Sequence, residues 1–169
     1  YPNCNNWLKL VFDNYVEKSI IATSASNLSL FSSLKLKKIY KFFSFYLKFK
    51  EYKKNYNSFP NPHIRTNGFL INSDDFTTFM KDKNIKNKED AWIIESGKLG
   101  LTNYFKSKGF DIYVVNSDGE KFLENNWIFS ETFNYKNQDK YIISDNQIRK
   151  YLNQINAEKQ ISQYKTWGI

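Results

Sequence analysis

Three stretches of this 169-residue sequence concentrate the side chains that do chemistry. The first, Phe59 to Phe69, reads F-P-N-P-H-I-R-T-N-G-F and contains two of the three prolines and the only histidine. The prolines stiffen the backbone where it enters an extended segment. Strand alternation would set His63, Arg65 and Asn67 on one side and Ile64 and Thr66 on the other. Three hydrogen-bonding groups on one face suit a polyol or a phosphate. The plainer alternative is a proline-stiffened loop that turns at Asn67-Gly68. The second stretch, Lys88 to Gly97, reads K-E-D-A-W-I-I-E-S-G. Its Glu89-Asp90 step falls at a loop-to-helix junction, with Glu95 five residues beyond Asp90. A carboxylate at a helix start is held ionised by the backbone amides and is of the type that takes a proton from a sugar hydroxyl. Ordinary capping acids would look the same. The third stretch, Asp145 to Tyr151, reads D-N-Q-I-R-K-Y. Asp145 would cap a helix, with Asn146 and Arg149 one turn apart on a shared face. Arg149 would either reach the site or pair with a structural carboxylate.

Other patterns argue against particular chemistries. Ser73-Asp74-Asp75 opens a helix rather than ending a strand, so this acidic pair reads as capping and not as a metal motif. The sequence contains no His/Cys/Asp cluster at metal-ligand spacing and no glycine-rich phosphate loop. A single cysteine, Cys4, excludes an internal disulfide framework and a cysteine zinc site. Arg65 and Arg149 are the only arginines among 25 basic residues. Where lysine is the usual cation, an arginine marks a position that needs the planar guanidinium fork.

The elements that must position these groups follow from periodicity and punctuation. Trp7 to Lys18 carries a helical apolar stripe. Ser19 to Thr23 reads as a short buried strand, and Asn27 to Ser33 as a loop. Leu34 to Tyr56 reads as one long basic, aromatic helix, broken by Phe59-Pro60-Asn61-Pro62. A strand at Phe69-Leu70-Ile71 leads to a helix from the N-cap Ser73 to about Lys83. A further helix is expected over Glu95 to Lys108, or from Glu89, closed by Gly109 as its left-handed terminus. Phe110 to Val115 is the clearest strand, ended by the turn Asn116-Ser117-Asp118-Gly119. The tail is expected to hold a strand at Tyr141 to Ile143 and helices near Asp145 to Gln154 and Ala157 to Lys165. There is no internal repeat, so the reading is a single α/β domain over residues 1–169, with residues 34–56 as a basic aromatic helical insertion.

The net charge of +8 is concentrated in one segment. Leu34 to Asn55 holds eight lysines against Glu51 alone, a local +7, which leaves +1 for the rest of the chain. The basic balance therefore describes one helix, and no nucleic-acid partner is expected. A basic amphipathic helix can lie on an anionic membrane surface, so a peripheral membrane contact through 34–56 is one expectation, and a helix with a solvated lysine face is the other. The longest uncharged run, Ser19 to Leu34, is Ser-rich and shorter than the roughly 20 apolar residues of a spanning helix. The sequence opens at Tyr1 without a charged-then-apolar leader. The expectation is a cytoplasmic location, possible contact with the membrane surface, and a piece of a longer protein.

Taken together, F-P-N-P-H-I-R-T-N-G-F, K-E-D-A-W-x-x-E-S-G-x-x-x-L-T and S-D-N-Q-x-R-x-Y from Ser144 resemble a glycosyltransferase-like group of bacteria and large viruses. The likeness runs from about Phe59 to Gly168. More broadly, the order of elements is similar to the acceptor-side half of GT-A-type glycosyltransferases. The resemblance implies a partial GT-A-like, Rossmann-like fold with a mixed sheet flanked by helices. It implies Asp90, or Glu89, as catalytic base or acceptor-hydroxyl ligand. His63, Arg65, Thr66, Asn67, Glu95 and Ser96 would bind substrate. It implies a nucleotide-sugar donor, a polysaccharide or glycolipid acceptor, and a divalent Mn or Mg ion whose ligands lie outside this chain. The nucleotide-binding half of such enzymes has no counterpart in the sequence. The alternative is therefore a non-catalytic glycan- or protein-binding module.

Overall fold

The computed structural model describes residues 1–36 and 38–169. Its centre is strand β1 (Ser19–Ala22), buried at all four positions. An uninterrupted Ser-Ile-Ile-Ala run suits a strand covered on both faces. Ile20 and Ala22 enter one apolar cluster, which includes Ile64, Phe79, Leu101, Phe105, Ile112 and Trp127. Ile21 enters a second, smaller cluster with Val11, Val115 and Ile142.

In sequence order, α1 (Trp7–Asp13) precedes β1, and β2 (Ala25–Ser26) follows it. A 3-10 turn at Ile39–Lys41 leads into α2 (Phe42–Asn55). Next come β3 (His63–Ile64), β4 (Phe69–Leu70), α3 (Ser73–Met80), α4 (Lys88–Ser96) and α5 (Leu101–Ser107). Then follow β5 (Asp111–Val115), β6 (Lys121–Phe122), a 3-10 segment at Glu124–Ser130, α6 (Asn146–Leu152) and α7 (Asn156–Trp167). The four-stranded sheet has the order β4-β1-β5-β6. β1 and β5 run parallel, and β4 and β6 are antiparallel to their neighbours. β2 and β3 form a separate antiparallel pair. The chain is thus a mixed α/β fold with a mixed sheet flanked by helices.

Several boundaries differ from the sequence expectations. The long helix expected over 34–56 begins only at Phe42, where its inward stripe of Phe45, Phe49 and Tyr52 gains partners such as Phe31, 5.2 Å from Phe49. Tertiary packing, more than propensity, decides where such a helix forms. Lys37, within that expected helix, lies outside the described residues. The N-cap of α3 is Asn72, whose side chain accepts from the Asp74 amide at 2.9 Å, so Ser73 is already the first helical residue. The strand expected at Tyr141 to Ile143 is reduced to a single bridge between Pro2 and Ile143.

The helix expected over Glu95 to Lys108 is two helices, α4 and α5, separated by Gly97 to Gly100. Close backbone approach accounts for the break. A Cβ on Gly97 would sit 2.4 Å from the Ile93 carbonyl oxygen, and one on Gly100 would sit 2.9 Å from those of Gly97 and Ile94. Because the clashes are with backbone, no side-chain rotation relieves them. Gly97→Ala is therefore expected to destabilise the fold by about 1–3 kcal/mol, the usual range for overpacking, read from urea unfolding. A variant as stable as the parent would mean that this junction relaxes freely.

Candidate functional site

The ladder through β1–β2 and β3–β4 is interrupted. Ala22 pairs with Phe69 and Ala25 with Ile64, so Thr23-Ser24 on one side faces Arg65-Thr66-Asn67-Gly68 on the other. The four-residue side bulges, pinned where the Arg65 amide donates to the Ser24 carbonyl at 3.0 Å and the Thr23 amide to the Gly68 carbonyl at 2.9 Å. A bulge re-aims side chains that a regular strand would alternate. This one lies beyond the carboxyl end of β1, and β1 runs parallel to β5, the edge at which open α/β sheets bind ligands.

Each bulge residue reaches a different element. Arg65 donates from Nη2 to Asp145 Oδ2 at 2.7 Å, with its guanidinium carbon 3.9 Å from the centre of the Phe133 ring. Asp145 uses its other oxygen to cap α6, accepting from the Gln147 and Ile148 amides at 2.8 and 2.9 Å. Thr66 is exposed, and both its amide, at 3.0 Å, and its hydroxyl donate to Glu95 Oε2, near the end of α4. Asn67 Oδ1 accepts from the Ser24 hydroxyl at 2.9 Å. Arg65 and Asn67, expected with His63 on one polar face, are thus engaged with different partners, Asp145 and Ser24.

Two donors in the bulge are left over. Arg65 Nη1 and Asn67 Nδ2 are buried and have no hydrogen-bond partner. Leaving such a group unpaired is costly, so each such atom calls for an acceptor. The third unpartnered atom, Trp127 Nε1, belongs to a residue of the larger apolar cluster. Beside the bulge is a cleft of about 180 Å³, whose walls include Phe69, Phe76, Met80, Ile94 and Leu101, with Thr66 as its one polar side chain.

His63 is buried, with Nδ1 2.8 Å from the Asn61 carbonyl oxygen. That oxygen can only accept, so a neutral ring carries its proton on Nδ1 and leaves Nε2 bare. Burial is the main cause that lowers its pKa below the ordinary 6.5, with the Arg65 charge adding to it. The Asn61 carbonyl and Glu95 pull the other way.

The remaining expected residues have structural employment. Asp90 and Asn87 form a capping box at the start of α4. The Asp90 carboxylate accepts from the Lys86 and Asn87 amides at 2.9 and 3.2 Å. Glu89 is exposed in the same first turn. Ser96 is buried, its hydroxyl donates back to the Trp92 carbonyl at 3.1 Å, and its own carbonyl accepts from Asn61 Nδ2 at 2.8 Å. Ser96 therefore helps to hold the His63 segment in place. Arg149 donates to Asn146, as their shared helix face predicts.

Sequence reasoning missed Thr23, Ser24 and Phe133, and saw only the capping half of Asp145. Phe133 lies in a segment where Glu131, Asn134, Lys136 and Gln138 all have positive φ, between 44° and 55°. No periodic pattern betrays such a segment, although its sparse regular structure was visible. Among the described residues, no group of three or more His, Cys, Asp or Glu side chains gathers to hold a metal. No family model matches the chain, and no match is found among the curated proteins or the solved structures.

The His63 environment makes a pH prediction. The folded state holds the imidazole neutral, while the unfolded chain titrates near 6.5. Below that value the unfolded state binds more protons, so stability contributed here is complete above about pH 6.5 and lost as pH falls. The Tm of His63→Gln should fall less than that of the parent between about pH 7 and 5. Parallel profiles would remove His63 as the titrating group.

Proposed function

We propose that this chain is the acceptor side of a GT-A-like glycosyltransferase that passes a hexose from a nucleotide-sugar to a polysaccharide or glycolipid. The observation that carries this reading is the Glu95 carboxylate, held by the amide and hydroxyl of exposed Thr66 beside an apolar cleft. A carboxylate at the rim of an apolar cleft suits a sugar hydroxyl. The apolar cleft next to Thr66 adds a surface for the C–H face of a sugar ring.

In this mechanism an acceptor hydroxyl gives its proton to Glu95. Its oxygen attacks the anomeric carbon of the donor. The bond from that carbon to the diphosphate breaks, and the nucleoside diphosphate leaves with the electron pair. Glu95 takes the role expected of Asp90, because the Asp90 carboxylate already serves the capping box. The nucleotide-sugar is left to residues other than those discussed here. A cytoplasmic location accords with this reading, since nucleotide-sugars are made there. Among the described residues no helix is long and apolar enough to cross a membrane.

Three substitutions in the full-length protein test these roles, with titration of UDP-, GDP- and dTDP-hexoses and methyl hexosides alongside. Glu95→Gln should lower transfer by roughly 10²–10⁴-fold, the range for losing a general base. Asp90→Asn should leave transfer within a few-fold and cost about 1 kcal/mol of stability through the cap. Thr66→Ala removes the hydroxyl that bonds Glu95, so it should weaken hexoside binding about tenfold. Hexoside binding without nucleotide-sugar binding or transfer would leave a non-catalytic glycan-binding module. Binding of neither would end the proposal.

A further inference from the structure

The surface of α2 carries a feature that the candidate site does not use. The helix is anchored by one stripe. Phe45, Phe49, Tyr52 and Tyr56 recur at helical spacing. Tyr52 and Tyr56 are buried with their rings 5.2 Å apart, and Phe49 meets Phe31. The neighbouring outward flank should be polar in a helix that only rests on its own domain. Instead it begins with Ile39, Phe42, Phe43 and Leu47, which are 86%, 60%, 72% and 53% exposed. Tyr46 lies among them and is also exposed.

The same flank changes character along its length. Lys50, Lys53 and Lys54 follow Phe43, Tyr46 and Leu47 at intervals of four and seven residues, so they continue the same face. Lys50 Nζ is 4.5 Å from the Tyr46 ring centre, which joins the two halves. Glu51 is the only acid from Leu34 to Asn55. The exposed face is thus aromatic at its start and cationic at its end.

We propose that this face of α2 docks on an anionic lipid surface, with the aromatic half entering the headgroup boundary and the lysines meeting lipid phosphates. Two observations select lipid over a protein partner. Lysine is depleted at the centres of protein–protein interfaces, whereas its long stem suits a boundary where the apolar part is covered and the ammonium stays wet. Helices that lie in the interfacial plane combine large apolar side chains with lysines, and α2 exposes both, divided along its length instead of between two faces. The helix has 14 residues, which fits lying on a bilayer rather than crossing one. The proposal stands independently of the glycosyl-transfer reading, since it uses none of the residues in the bulge.

The test is flotation of the full chain with vesicles of phosphatidylcholine alone and of phosphatidylcholine with phosphatidylglycerol. Retention is expected only on the anionic vesicles and should weaken with added salt. Phe42→Ser with Phe43→Ser should lower the bound fraction at least about tenfold. The triple change Lys50→Glu, Lys53→Glu and Lys54→Glu should abolish the preference for anionic lipid. The replaced side chains are exposed, so an unchanged Tm confirms that each variant remains folded. Equal retention of parent and variants would overturn the proposal. So would failure of the parent to float while it self-associates through Phe42 and Phe43, which would make the face a protein interface.

Discussion

Between Ala22 and Ala25 the chain spans two residues, and between Ile64 and Phe69 it spans four, yet both pairs remain opposite each other. The surplus has to leave the plane of the ladder, and its polar groups must find partners elsewhere. The Thr66 amide goes to Glu95 on α4, while the Arg65 side chain goes to Asp145 at the head of α6. The Asn67 side chain turns back to Ser24. Each of these links crosses a large separation in sequence. The bulge therefore joins the sheet to α4 and to the C-terminal helices, and those elements depend on it for their relative placement.

The Arg65–Asp145 pair shows how this junction is held. The side chains are 12% and 24% exposed, so both charges have lost much of their water. A pair this dry returns its desolvation cost only when the remaining lone pairs and protons are also used. Asp145 meets that condition, with one oxygen on Arg65 and the other on two helix amides. Arg65 meets it in part. Nη2 is paired and the guanidinium lies against Phe133, but Nη1 is not bonded. The asymmetry locates the open valence of the site on the arginine, not the carboxylate.

Much of this arrangement was legible before any coordinates. The Ser19–Ala22 strand, the Asp111–Val115 strand, the left-handed Gly109 and the capping of α6 by Asp145 all follow from local rules that tertiary structure did not override. What local rules could not supply was register. Alternation assigns sides only while the ladder is regular, and the two-against-four mismatch depends on strands far apart in sequence. The split of α4 from α5 was hidden for a related reason. Gly97 has an ordinary φ of −71°, and its need for glycine comes from the nearby Ile93 carbonyl, not from a turn signal.

Helix α4 shows why an acidic step at a helix start and a carboxylate near its end cannot serve the same site. Five residues advance the helix by about 7.5 Å and turn it by about 140°, so Asp90 and Glu95 face different directions. The first turn presents unpaired amides, and Asp90 satisfies two of the amide donors near that end. That explains an E-D step by helix geometry alone. Glu95 lies beyond that first turn and serves a different contact. The α4 backbone is already bonded at its position, and the carboxylate is turned outward to the Thr66 amide and hydroxyl. The acid that the sequence made conspicuous is the one the helix start needs, and the less conspicuous acid is the one bonded to Thr66 in the bulge. Asp90 thus holds the start of α4, and Glu95 ties its far end to the bulge.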